Sequence, residues 1–112
     1  MNYHNRIFRV INNSDNGDTS SETTFQYRQE GNILSSIYSG GNIVLGHLLG
    51  FVDANGNIDM RYHHINSDGK IMTGLCHSTP EILEDGRIRL HEEWRWKNGD
   101  QSSGKSTLEE IV

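Results

Sequence analysis

The sequence predicts an all-β protein: an antiparallel up-and-down meander of about eight strands, closed into a small barrel. Three observations predict it. The first is a strand-start signal that occurs five times, a turn glycine, a polar residue and then an isoleucine: Gly31-Asn-Ile33, Gly41-Asn-Ile43, Gly56-Asn-Ile58, Gly69-Lys-Ile71 and Gly86-Arg-Ile88. The second is twelve glycines against one proline, a balance that suits short strands joined by tight turns. The third is the absence of a sustained helical period. The best helical stretch, residues 106–112, is too short to be stable alone. Closure follows because it leaves no exposed strand edges.

Taken in order, Asn5 to Ile11 reads as the first strand, with Ile7, Phe8, Val10 and Ile11 as its apolar content. Residues 12–21, Asn-Asn-Ser-Asp-Asn-Gly-Asp-Thr-Ser-Ser, form a polar loop rich in turn formers, expected to be the most mobile internal segment. Thr23 to Gln29 alternates, with Phe25 and Tyr27 on one side. Further strands follow over 33–38, 43–52, 58–65 and 71–78, separated by glycine turns. Thr79-Pro80-Glu81 is expected to interrupt the ladder, since Pro80 has no backbone donor. The longest clean pattern is the strand from Gly86 to Trp96, which holds both tryptophans. A second polar loop spans 98–104, and residues 107–112 close the chain.

At 112 residues this is a single domain, 1–112, large enough for one core. A net charge of −5, with no run of basic residues beyond two, argues against nucleic acid, whose phosphates need clustered Lys and Arg. No apolar stretch approaches the roughly 18 residues of a membrane-spanning helix. The N-terminus lacks the charged and apolar regions of a secretory signal. Cys76 is the lone cysteine, so no disulfide forms within the chain and a reducing, cytoplasmic setting is expected.

Period-two alternation assigns faces once the isoleucines are set inward. That phase puts Ile33, Ser35 and Ile37 inside, then Leu45, His47, Leu49 and Phe51, then Met60, Tyr62 and His64. The later strands contribute Thr73, Leu75 and His77, then Leu90, Glu92, Trp94 and Trp96. The strand from Gly86 to Trp96 is secure because its other face is Arg87, Arg89, His91, Glu93 and Arg95. Strand 43–52 is ambiguous, apolar on both faces. It is expected to be covered twice, by the N-terminal segment or by another subunit, and a homodimer is one outcome.

The candidate ligand-binding residues are therefore Tyr62, His64, His77, Glu92, Trp94 and Trp96. Glu92 carries most weight, because a carboxylate between Leu90 and Trp94 must be paired or held neutral. It can equally be a structural pair to Tyr62 or a histidine. Gly99-Asp-Gln-Ser-Ser-Gly104-Lys105-Ser106 matches the phosphate-loop pattern by letter, but no strand–helix unit follows it, so it reads as a hairpin loop. His91-Glu92-Glu93 lacks the downstream cysteine pair of a zinc deaminase. Cys76-His77, His63-His64 and His91 offer at most one inward ligand per pair, so no metal site is expected. Cys76 as a nucleophile would need His63 or His91 beside it. No motif points to a cofactor.

The segments Tyr38-Ser-Gly-Gly41, Gly46-His-Leu-Leu-Gly50, Met60-Arg-Tyr62, Thr73-Gly-Leu-Cys76-His-Ser78, Arg89-Leu-His-Glu92 and Trp94-Arg-Trp96 carry a resemblance to a known family. The chain resembles, over nearly its whole length, small bacterial all-β proteins often labelled N-acetylglutamate synthase. That resemblance implies the label's activity but supplies no catalytic residues. Its glycine hairpins also resemble MORN-type repeats, with more uneven spacing. Two functions follow. One is a small-molecule binding module with a lipocalin-like barrel, in which Tyr62, His64, His77 and Glu92 orient a ligand against the tryptophans. The other is an enzyme using Glu92 with a histidine partner as general acid or base. An interaction module built on strand 43–52 is a third reading.

Overall fold

A computed structural model describes residues 1–111 as eight strands: β1 (Ile7–Asn13), β2 (Thr24–Glu30), β3 (Ile33–Gly40), β4 (Ile43–Val52), β5 (Ile58–Asn66), β6 (Ile71–Ile82), β7 (Ile88–Trp96) and β8 (Ser103–Ile111). Each strand pairs antiparallel with the next in sequence, and β8 returns to β1. The sheet is a closed up-and-down barrel, as the meander pattern predicts. Val112, expected to end the last strand, lies outside the described residues.

Strand existence follows the sequence pattern, while two boundaries depart from it. β6 runs on through Pro80, which stays opposite Leu90 of β7. The ladder to β5 ends at the Ser78–Ile58 pair, so this end of β6 is an edge on one side, where a proline is tolerated. β8 begins four residues earlier than expected, at Ser103, and takes up Gly104 to Ser106 of the phosphate-loop-like stretch. Those residues pair with β7, and no helix follows them.

The faces of three strands invert the expectation. The two-residue turn Gly31-Asn32 sets Ile33 opposite Glu30, and directly opposed residues share a face, so Ile33 and Ile37 point outward. Leu34, Ser36 and Tyr38 fill the interior. In β4 a bulge between Ile43 and Leu45 shifts the phase by one. Gly46, Leu48 and Val52 are then buried, whereas Leu45, Leu49 and Phe51 are exposed and His47 also lies on the outer face. Ile71 of β6 pairs with the exposed Ile65, which sends Thr73, Leu75 and His77 outward and Gly74, Cys76 and Ser78 inward. β5 and β7 keep the expected phase.

One end of the barrel is shut. Tyr3 is fully buried, packs on Phe8 and Tyr27, and donates its hydroxyl to the carbonyl of Gly56 in the β4–β5 turn. The N-terminal segment thus plugs the barrel instead of covering β4. Burial of Tyr3, Phe8, Tyr27, Leu34, Ile58 and Leu90 makes this half a solid core. Any space for a ligand lies at the other end.

Candidate functional site

The open end carries the long β1–β2 loop, the β3–β4 and β5–β6 turns and the β7–β8 loop. A cleft of about 460 Å3, counted to its solvent mouth, enters here and reaches Cys76 and Glu92. Only about 50 Å3 of it has room for the centre of a water molecule. The space is a narrow slot.

Its walls are aromatic, and glycines make them possible. Tyr38 sits directly across from Gly46, Tyr62 across from Gly74 and Trp94 across from Gly104. In each pair the ring lies where a glycine Cβ would be: an added Cβ would fall 2.4 Å from the Tyr38 ring, 2.4 Å from the Tyr62 ring and 2.4 Å from the Trp94 ring. The rings therefore fold flat over bare backbone rather than standing across the barrel. Trp96 completes the wall, with ring centroids 5.4 Å from Trp94 and 5.7 Å from Tyr62.

Two polar groups mark the slot. At the mouth, Asp18 from the β1–β2 loop reaches in to His64 Nε2 at 2.9 Å, and His64 Nδ1 lies 2.9 Å from the Tyr38 hydroxyl. A carboxylate only accepts, so Nε2 carries the proton and Nδ1 accepts from Tyr38. Burial lowers the His64 pKa below its ordinary value, against the opposing pull of Asp18, which keeps the ring neutral. Asn66 adds a donor to Asp18 at 3.3 Å. The same loop is tied twice more, since the Trp96 indole donates to the Asn16 carbonyl at 3.1 Å and Asn16 donates to Ser102 at 2.9 Å. The segment expected to be most mobile is the cover of the slot, anchored to its wall.

Deeper in, Glu92 is buried and accepts from Ser78 at 2.8 Å and from Ser106 at 3.0 Å. Burial raises its pKa, and the two serine hydroxyls and Cys76 oppose the rise. Neither expected partner, Tyr62 or a histidine, bonds it. Cys76 is buried beside it with its thiol pushed well above the ordinary range, chiefly by burial, so a nucleophilic thiolate is disfavoured. Its proposed bases are elsewhere: His63 lies on the outer face beside His47, and His91 is outside, paired with Glu81 at 2.8 Å.

Of the six residues the sequence singles out, Tyr62, His64, Glu92, Trp94 and Trp96 line one cleft. His77 does not; it lies on the outer surface between Asp59 and Glu93. The cleft also includes Asn13, Asp18, Tyr38, Cys76 and Ser106, which strand phase alone did not identify. The Tyr38–Gly46 pairing was the available signal for Tyr38. A bulky aromatic facing a mid-strand glycine marks a close approach. Among the described residues, no three His, Cys, Asp or Glu side chains converge as metal ligands.

A model of the avidin-like protein family matches residues 1–111. No curated protein and no solved structure matches the chain.

Proposed function

As this chain belongs to the avidin-like protein family, a family of small ligand-binding β-barrels, we propose that it is a small-molecule binding protein whose site is the slot under the β1–β2 loop. The observation that carries the reading is the set of three glycine-backed rings. Mid-strand glycines weaken a sheet, and here each makes room for a ring that packs at the edge of the core and walls a cleft. An aromatic slot with a few convergent polar groups and one shut end is the usual form of a ligand site. Entry requires the loop to lift, which breaks the Asp18–His64 and Asn16–Trp96 bonds and remakes them over the ligand. The finer expectation narrows accordingly: Tyr62, His64, Glu92, Trp94 and Trp96 remain ligand-binding candidates, joined by Asp18 and Tyr38, without His77.

Native mass spectrometry of protein purified without denaturant tests the reading. A retained small mass that is lost in a folded Trp94→Ala variant is the expected result. A bare chain mass, with tryptophan emission unmoved by any compound of a metabolite library, overturns it.

The enzymatic reading finds less support. Glu92 is held by two serines and no histidine, and the described residues contain no helix of the kind an acetyl-transfer domain is built from. Association between copies has a specific observation in its favour. On the outer face of β3 and β4, Ile37 is 64 %, Phe51 62 % and Leu49 54 % exposed, with Ile33 directly opposite Phe51. An exposed face of this kind, apolar except for Ser35 and His47, suits a second copy of the barrel.

A further inference from the structure

The charges in the slot point to one class of ligand. Among the described residues, the cleft is lined by two carboxyl groups, Asp18 and Glu92, and by no lysine or arginine. Its one histidine, His64, has both ring nitrogens engaged, to Asp18 and to Tyr38. A third acceptor lies buried in the wall. Asn13, which lines the same cleft, spends its amide N–H2 on the carbonyl and hydroxyl of Thr19, at 2.9 Å each, so its buried Oδ1 has no donor. The amide cannot be turned round, because the Thr19 carbonyl needs a donor opposite it. The carboxyl groups and this amide oxygen are acceptors, the Tyr62 hydroxyl is a free donor, and no lysine or arginine among the lining residues supplies a positive charge.

The aromatic walls favour the same class. Ring faces are negative and attract cations, and the rings of Tyr62, Trp94 and Trp96 line this narrow space, Tyr62 and Trp94 lying over Gly74 and Gly104. An acid placed here would face two carboxyl groups with only neutral hydroxyls such as that of Tyr62 to donate to it, whereas a flat cation would find carboxyl oxygens and aromatic rings together.

We infer that the slot takes a planar nitrogen cation, an amidine, guanidine or protonated amino-heterocycle, with its N–H groups toward Glu92 and Asp18 and its plane against the tryptophans. This rests on the reading of the slot as a ligand site. It adds the sign of the ligand's charge and its donor character.

Three isosteric probes test it: benzamidine, benzamide and benzoate share ring and outline and carry charges of about +1, 0 and −1 at neutral pH. Trp94 and Trp96 are the chain's two tryptophans and both line the slot, so intrinsic fluorescence reports occupancy without a label. The expected result is saturable binding of benzamidine at least about tenfold tighter than benzoate, with benzamide between them. Glu92→Gln should bring the benzamidine and benzoate affinities together. Asp18→Asn, at the mouth and only partly buried, should narrow the gap even if Glu92→Gln does not fold. Benzoate or benzamide binding as tightly as benzamidine overturns the charge class and leaves the ligand site standing. Silence from all three probes in a folded protein overturns the cation class, while the ligand site itself stands or falls by the retained mass.

Discussion

Gly46→Ala isolates the physical basis of the slot. The added methyl carbon would lie 2.4 Å from two atoms of the Tyr38 ring and 2.8 Å from a third. Carbon atoms pack at about 3.5–4.0 Å, so the ring must retreat by about 1 Å. It has nowhere easy to go. Phe25 stacks on its far side, with centroids 4.6 Å apart, and the hydroxyl is fixed to His64 at 2.9 Å. Overpacking of this kind costs about 1–3 kcal/mol. A retreat that takes the hydroxyl away from His64 leaves a buried ring nitrogen unpaired, at about 1–3 kcal/mol more. The total, about 2–6 kcal/mol, is a large share of the roughly 5–15 kcal/mol that holds a domain together. At about 4 °C per kcal/mol, it should lower the melting temperature by about 8–24 °C. Thermal unfolding followed by circular dichroism measures this, and a double-mutant cycle with Tyr38→Ala tests the cause. In the Tyr38→Ala background the methyl group meets no ring, so Gly46→Ala should be nearly neutral, within about 0.5 kcal/mol. An equal loss in both backgrounds would refute the argument, since the damage would then come from the backbone and not from the ring.

Three other predictions follow from separate features. Glu92 keeps its proton to higher pH in the folded chain than in the unfolded one, so the folded state binds more protons above the ordinary carboxyl range and stability falls as pH rises through that window. Glu92→Gln should remove this component, which appears as a variant-minus-parent difference in melting temperature that grows with pH; a flat difference refutes it, and comparing the two proteins cancels the separate loss of stability below pH 6.5 from the lowered pKa of His64. On the outer face, Phe51→Arg with Leu49→Arg should convert an associated protein to monomer in sedimentation velocity without changing its far-ultraviolet spectrum, and a parent protein already monomeric at high concentration ends that reading. Tyr3→Ala should cost about 3–5 kcal/mol through the cavity it opens at the shut end. It should leave tryptophan emission unchanged, because Trp94 and Trp96 line the opposite end, and a shifted emission would show that the two halves are not independent.

How much of this was legible in the sequence depended on contrast between the two faces of a strand. β7 alternates Ile88, Leu90, Glu92, Trp94 and Trp96 with charged or imidazole side chains, and β5 sets Met60 and His64 against Asp59 and Arg61, so both phases could be read without coordinates. β3, β4 and β6 carry apolar residues on both faces, and there the turn or a bulge decides. One residue of shift in β4 exchanged Leu49 and Phe51 for Gly46 and Leu48. His77 was lost from the site because the β5–β6 turn sets Ile71 opposite the outward Ile65, with no bulge to restore the phase. Asp18 was hidden for a different reason. A loop of Asn, Ser, Asp and Gly reads as solvated whether or not one carboxylate turns inward, and only the position of His64 at the mouth selects it.

The errors and the successes bear on function together. The isoleucine phase set Leu45 and His47 inward in place of Gly46 and Thr73 and Leu75 inward in place of Gly74, and it left Gly104 in a loop. With the phase corrected, the same positions remove side-chain volume beside Tyr38, Tyr62 and Trp94, and the volume removed is what remains as a slot. Fold and site are therefore built from one set of residues at this end: a substitution that fills a glycine both closes the slot and strains the sheet. Charge is the property that separates them. Glu92 and Asp18 supply the slot's sign while the rings supply its shape, so Glu92→Gln and Asp18→Asn keep near-native volume and change what the slot attracts. Ligand preference should shift in those variants well before the rings move, whereas Gly74→Ala or Gly104→Ala should weaken every ligand alike.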